Sequence, residues 1–156
     1  VEANGAGDWS DDVTFTAGQK LAASDLDQIV SSVCQILGAA QTTASITMGA
    51  GAVDLTGATL TFTTQYANTK ALIWGTFDVG IATGTHTFVG TCVVDGTTLT
   101  TGEAHSTGVR ETTFQQWIPT LSAAGSHTIK LQGAESSGTA ITFSIHTKLH
   151  VLVLGP

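Results

Sequence analysis

Charged side chains are scarce in this chain: 11% of 156 residues, with only five bases (Lys20, Lys70, Arg110, Lys130, Lys148) against twelve acids, for a formal net charge of −7. A soluble domain ordinarily carries about a quarter of its residues charged. With no basic cluster to neutralise phosphates, nucleic acid is not expected as a partner. No apolar run approaches the roughly 20 residues of a membrane-spanning helix, so no membrane partner is expected either. The opening residues, VEANGAGDWSDD, lack the basic flank and apolar stretch of a secretory signal. Cysteine is limited to Cys34 and Cys92; nothing in their spacing favours a disulfide, and two free thiols are expected.

The marks of catalysis are missing too. There is no G-x-S-x-G elbow, P-loop, dinucleotide fingerprint or C-x-x-C. Asp78, Asp95, Glu103, Glu111 and Glu135 are scattered, mostly at expected strand ends. Glu103 and His105 share a strand face but have no nucleophile beside them. His146 and His150 fall on one face of a strand, where four residues span roughly 13 Å, too far apart to chelate one ion. His86, His105 and His127 sit near expected turns without a ligand partner at short spacing. Asp8, Asp11 and Asp12 lack the alternating oxygens and closing glutamate of a helical calcium loop. The expectation is a protein that is not an enzyme, with no catalytic residue, no metal and no cofactor.

What is abundant is hydroxyl and glycine: 28 Thr, 11 Ser and 18 Gly, beside 42% hydrophobic residues. That apolar content, rich in β-branched side chains, argues for a folded chain. Residues 1–19 are small and acidic and cannot form a core of their own; they form an arm whose Trp9 anchors to the chain's own body or to a neighbour. Residues 20–38 carry a short amphipathic helix. Ser24 caps it, Gly38 ends it, and Leu26, Ile29, Val30, Val33 and Leu37 fall on one face. A helix this short must bury its stripe, either on the β-domain or against copies of itself.

Residues 39–58 are a connector with a short strand, Ser45–Met48. From residue 59 to 156, Thr-, Val-, Ile- and Phe-rich runs at 59–64, 71–81, 87–94, 112–118, 127–132 and 140–154 alternate with Gly-bearing breaks. Asp95-Gly96 is the sharpest turn signal. Strands at such intervals, without intervening helices, point to an antiparallel sandwich. Alternation places Ile73, Phe77, Val79, Phe88, Ile129, Leu131, Ile141, Phe143, Ile145 and Val151 in the core. Leu152 and Leu154 interrupt an otherwise polar outer row, which marks them for a covered face.

Residues 13–33, VTFTAGQKLAASDLDQIVSSV, resemble the opening of tailed-bacteriophage structural proteins through Phe15, Thr16, Gly18, Leu21, Ala23, Asp25 and Leu26; Asp27 replaces the usual asparagine. Residues 59–155 resemble the jelly roll of tumour-necrosis-factor and complement-C1q heads. That likeness is carried by KALIWGTFDV (70–79), WIPTLSAAGSHTIKLQGAES (117–136) and ITFSIHTKLHVLVLG (141–155). The resemblance implies a non-enzymatic virion component, a homotrimer that decorates or stabilises the exterior of a capsid as a decoration or head-fibre protein. The partner is then the major capsid protein or another virion protein. Capsid attachment falls to Trp9 and Phe15. The subunit interface falls to Leu26, Ile29, Val30, Val33, Leu37, Leu152 and Leu154. The alternatives are a small tail-tip or neck component, or a glycan-binding adhesin using Trp74 and Trp117.

Overall fold

The computed structural model describes residues 34–80, 86–99, 102–106, 110–135, 141–143 and 146–154. These form twelve strands: β1 (Cys34–Gln41), β2 (Ile46–Met48), β3 (Val53–Thr64), β4 (Thr69–Gly80), β5 (His86–Val94), β6 (Thr97–Thr98), β7 (Gly102–Ser106), β8 (Arg110–Trp117), β9 (Thr120–Leu121), β10 (Gly125–Glu135), β11 (Ile141–Phe143) and β12 (Lys148–Leu154). The larger sheet runs β1-β12-β4-β11-β2, with β8 and β9 also paired to β4; the smaller runs β3-β10-β5-β6, with β7 paired to β5. Every pairing is antiparallel. The result is a mainly antiparallel, jelly-roll-like arrangement of two sheets.

The expected helix is corrected. No helix occurs among the described residues, and Cys34–Leu37, the last residues of the expected helix before Gly38, belong to β1. The backbone of Cys34–Gln41 pairs with Leu154–Lys148 of β12. A run that reads as helical by spacing thus takes the strand form because β12 offers a full row of ladder hydrogen bonds on that side. The rest of that expectation, residues 20–33, lies outside the described residues, as does the arm at 1–19.

Strand alternation sets the core. On β4, Ala71, Ile73, Phe77 and Val79 are buried, while Leu72, Trp74 and Thr76 on the other face are only half-buried. On β12, Leu149, Val151 and Val153 are buried between partly exposed His150 and Leu152. Phe88, Ile129, Leu131 and Ile141 close the same core from the facing strands. Of the ten expected core residues, Phe143 and Ile145 lie outside the described side chains; the other eight are buried. Phe77 sits at the centre, tilted against Phe88 and edge-on to Trp117.

The single strand expected over 140–154 is instead two, β11 and β12, both paired to β4. Thr147 lies just ahead of β12: its hydroxyl accepts from the Asp78 amide at 3.1 Å and its carbonyl accepts from the Thr42 amide at 3.0 Å. Residues 39–58, read as a connector, hold the end of β1, all of β2 and the first part of β3. The Asp95-Gly96 signal is a two-residue hairpin turn joining β5 to β6. Both residues have positive φ, 49° and 82°, the backbone that matches the twist of paired strands and that Asp-Gly adopts at low cost.

Candidate functional site

The two outer faces of the sandwich differ in chemistry. On the smaller sheet, the outward positions of β3 are Thr59, Thr61 and Thr63, all exposed. Thr61 and Thr128 share a hydroxyl hydrogen bond at 3.2 Å. Beside them Lys130 and Gln132 donate to the two oxygens of Asp54, each at 2.7 Å. The hydrogen bond from Lys130, then that from Gln132, holds the Asp54 carboxyl below the usual carboxylate range against a smaller opposing effect of burial. Such a face satisfies itself and is comfortable in water.

The outer face of the larger sheet is built differently. Register places Gln116, Trp74, His150 and Ala39 in one cross-strand row, and Phe114, Thr76, Lys148 and Gln41 in the next. Leu72, Leu152 and Leu37 share a third row, Lys70 and Leu154 a fourth. Paired residues point to the same side of a sheet. Trp74 and His150 stack, with ring centroids 5.6 Å apart and planes 12° from parallel. Phe114 is 59% exposed, and Ile118, just beyond β8, is 60% exposed. Leucine, tryptophan and phenylalanine thus form a band across three strands, the kind of surface that proteins seldom leave to solvent.

Basic groups frame this band. Lys70, Lys148 and Arg110 all lie on it and are exposed, three of the chain's five bases. Lys70 donates to the Thr120 hydroxyl at 2.5 Å. Arg110 makes a two-pronged ion pair with Asp78: Nε donates to Oδ1 at 2.8 Å and Nη2 to Oδ2. The Asp78 side chain is 3% exposed while Arg110 is 57% exposed, so the guanidinium roofs a buried carboxylate. Hydrogen bonding to Asp78, with its charge, raises the Arg110 pKa above its ordinary value. Asp78 is the only acid on this face among the described residues, and it is already matched.

A second polar cluster ties the sandwich end. His127 is buried, with Nδ1 2.6 Å from Asp95 Oδ2 and Nε2 3.2 Å from the Thr64 hydroxyl and 3.1 Å from the Ala123 carbonyl. The Thr128 amide donates to Asp95 Oδ1 at 2.8 Å. Burial pushes the Asp95 carboxyl up, but the His127 hydrogen bond, the Thr128 amide and the His127 charge together hold it below the usual range. The cluster joins the β5–β6 turn, the end of β3 and the start of β10 as a clamp; the Thr64 hydroxyl beside the ring is itself buried, 2% exposed.

Of the residues singled out from sequence, Trp9, Phe15, Leu26, Ile29, Val30 and Val33 lie outside the described residues. Leu37 is described only in its backbone, opposite Leu152. Leu152 is half-buried and Leu154 is 37% exposed, both on the apolar face. Trp74 is on that face too, one ring side taken by His150. Trp117 is 8% exposed and packs edge-on to Phe77, so the structure gives it a core position with little surface for a sugar. His146 is exposed ahead of β12 and His150 is in the aromatic stack, so the strand does not bring them together as ligands. Among the described residues no group of three or more His, Cys, Asp or Glu could hold a metal ion, and no helix is long and apolar enough to cross a membrane. Sequence reasoning missed Phe114 and Arg110 as members of this face; Phe114 sharing a strand side with Thr112 and Gln116 was the available signal.

No protein-family model matches the chain, and no curated protein matches its sequence. Solved structures do resemble it. The VP2 subviral particle of infectious bursal disease virus aligns with a TM-score of 0.50 at 15% identity, over 77% of this chain and 33% of that one. The structure of the Gx strain of the same virus aligns with a TM-score of 0.51 at 13% identity, over 76% of this chain and 32% of that one. The chain therefore spans about a third of the length of these proteins, and what it shares with them is the fold.

Proposed function

We propose that the protein is a non-enzymatic structural component of a virus particle, with the apolar, base-framed face of the larger sheet as an assembly surface. One observation carries this reading: a jelly-roll-like sandwich of the VP2 type presents Phe114, Trp74, Leu152 and Leu154 outward on one face, while on the other the exposed row of β3 is Thr59, Thr61 and Thr63, beside Thr128, Lys130 and Gln132 of β10. The surface is shaped for contact with protein, because apolar and aromatic groups at its centre and charges at its rim are the anatomy of an interface. The VP2 structures come from particles, which supports a particle role for a chain with the same fold.

The finer reading is a bacteriophage virion protein, a homotrimer on the capsid exterior bound to the major capsid protein through Trp9 and Phe15, with the acidic balance keeping it away from packaged DNA. The bacteriophage assignment rests on the motif at 13–33. Removing residues 1–16 is expected to abolish incorporation into particles while the β-domain stays folded by circular dichroism. Unchanged binding of the truncated protein to empty shells defeats the arm's role. A particle reconstruction with its density at the tail tip or neck replaces the capsid position with that alternative.

A second reading, glycan binding by a virion adhesin, is favoured only by Trp74, whose ring lies on the outer face. Specific binding on a glycan array that is lost in Trp74→Ala supports it; no binding at millimolar sugar by the intact protein removes it.

A further inference from the structure

We propose that the apolar face of the larger sheet is covered by residues 21–33 of a neighbouring copy, so that the trimer of the preceding section, on which this inference rests, is held by exchanged N-terminal segments. The charges match: residues 1–33 carry six of the twelve acids and only Lys20 as a base, whereas the face carries Lys70, Lys148 and Arg110 and no unmatched described acid. Residues 21–33, LAASDLDQIVSSV, combine Asp25 and Asp27 with Leu21, Leu26, Ile29, Val30 and Val33. That is the complement of an apolar band beside Lys148.

Chain direction selects a neighbour over the same chain. Cys34 is opposite Leu154 and Gln41 opposite Lys148, so the chain enters β1 at the Leu154 end of the sheet. Returning over its own face would need a tight reversal just before Cys34, where the sequence offers neither Gly nor Pro but only the weaker turn formers Ser31 and Ser32. A 13-residue segment reaches up to about 43 Å, ample to cross the roughly 14 Å from β1 to β8 in a sheet with strands about 4.8 Å apart. A head-to-tail exchange of this kind closes into a ring when the rotation allows. In an extended segment Leu26 and Val30 share one side; they then lie against Leu72 and Phe114, with Asp25 and Asp27 on the same segment beside Lys148.

The test uses the full chain with the photo-cross-linker benzoylphenylalanine in place of Val30, and a second variant carrying it in place of Leu26. Isotopically heavy and light proteins are unfolded together, refolded, sized by mass and irradiated. The expected result is a trimer whose cross-linked peptides join position 30 or 26 to residues 110–117 or 148–154 with mixed labels. Cross-links to that face with matched labels only mean docking within one chain and overturn the exchange. A trimer without cross-links to that face overturns the exchange while sparing the trimer. A monomer refutes the trimer, and the exchange with it. As an independent readout, Lys148→Glu is expected to weaken self-association about tenfold, with Asp27→Lys in the same chain restoring part of it; no change in either variant counts against the charge pairing.

Discussion

Gly90 on β5 faces the ring of Phe77 on β4 across the sandwich: a Cβ on Gly90 would stand 2.8 Å from the ring carbons Cε2 and Cζ. A fully buried core ring is seated where a glycine leaves room for it, with Phe77 packed between Phe88 and Trp117. Gly90→Ala is therefore expected to destabilise the fold by about 1–3 kcal/mol, the usual penalty for overpacking. Urea denaturation measures it. In a Phe77→Leu background, which removes the offending ring edge, the added penalty of Gly90→Ala is expected to shrink; equal penalties in both backgrounds would mean that the ring is not what Gly90 accommodates.

Asp95, hydrogen-bonded to His127, sets an acid limit on stability. The Asp95 carboxyl is held below the usual carboxylate value in the folded protein. A depressed carboxylate contributes stability that is fully present above the unfolded value and is lost as pH falls through the folded one. Asp54 has the same sign through Lys130 and Gln132. Asp95→Asn isolates the charge, because asparagine also accepts the positive φ of this turn. The variant is expected to lose about 1 kcal/mol at neutral pH, a modest figure since the carboxylate is part exposed. Its stability is expected to fall less between pH 5 and pH 3, a window set by that depressed carboxyl. An acid limb of unchanged steepness removes Asp95 as its cause.

Much of this architecture is legible in the residues. Asp95-Gly96 marks its own hairpin, and the period of two from Ala71 to Val79 and from Leu149 to Val153 separates core from surface without tertiary information. What resists reading depends on partners distant in sequence. Cys34–Leu37 carries apolar residues compatible with either periodicity, and only the free side of β12, over a hundred residues away, decides for a strand. The break between β11 and β12 rests on Thr147 holding Thr42 and Asp78, which no local spacing announces. The candidate face was half visible: Leu152 and Leu154 stood out on a polar row, but Phe114 joins them only once β4 sets β8 and β12 on its two sides.

Cys92 is a free thiol buried in β5, and burial pushes its pKa up to about 12. The thiolate is the reactive form, so at pH 8 the folded protein holds this sulfur unreactive by both access and charge. In a Cys34→Ser variant, a thiol-reactive dye is expected to leave the native protein unlabelled and to modify Cys92 only in denaturant. Prompt labelling without denaturant would show that β5 opens readily, contrary to its place between β10 and the β6 and β7 edge.

Phe114 and Trp117 test the division of labour across β8. Phe114 points outward and is 59% exposed; Trp117 points inward and is 8% exposed. An outward side chain that serves only assembly is dispensable for folding, so Phe114→Ser is expected to change monomer stability by no more than about 0.5 kcal/mol. Trp117→Ala removes a ring from beside Phe77 and is expected to cost about 3–5 kcal/mol. Self-association reverses the order at matched folded fraction. Phe114→Ser is expected to shift the mass distribution toward monomer at micromolar concentration, because exposed aromatics on an interface are where binding energy concentrates. Sedimentation velocity on both variants reads this directly. If Phe114→Ser assembles like the parent protein, then the aromatic end of this face is not the assembly surface, and the contact must be sought toward Leu152 and Leu154.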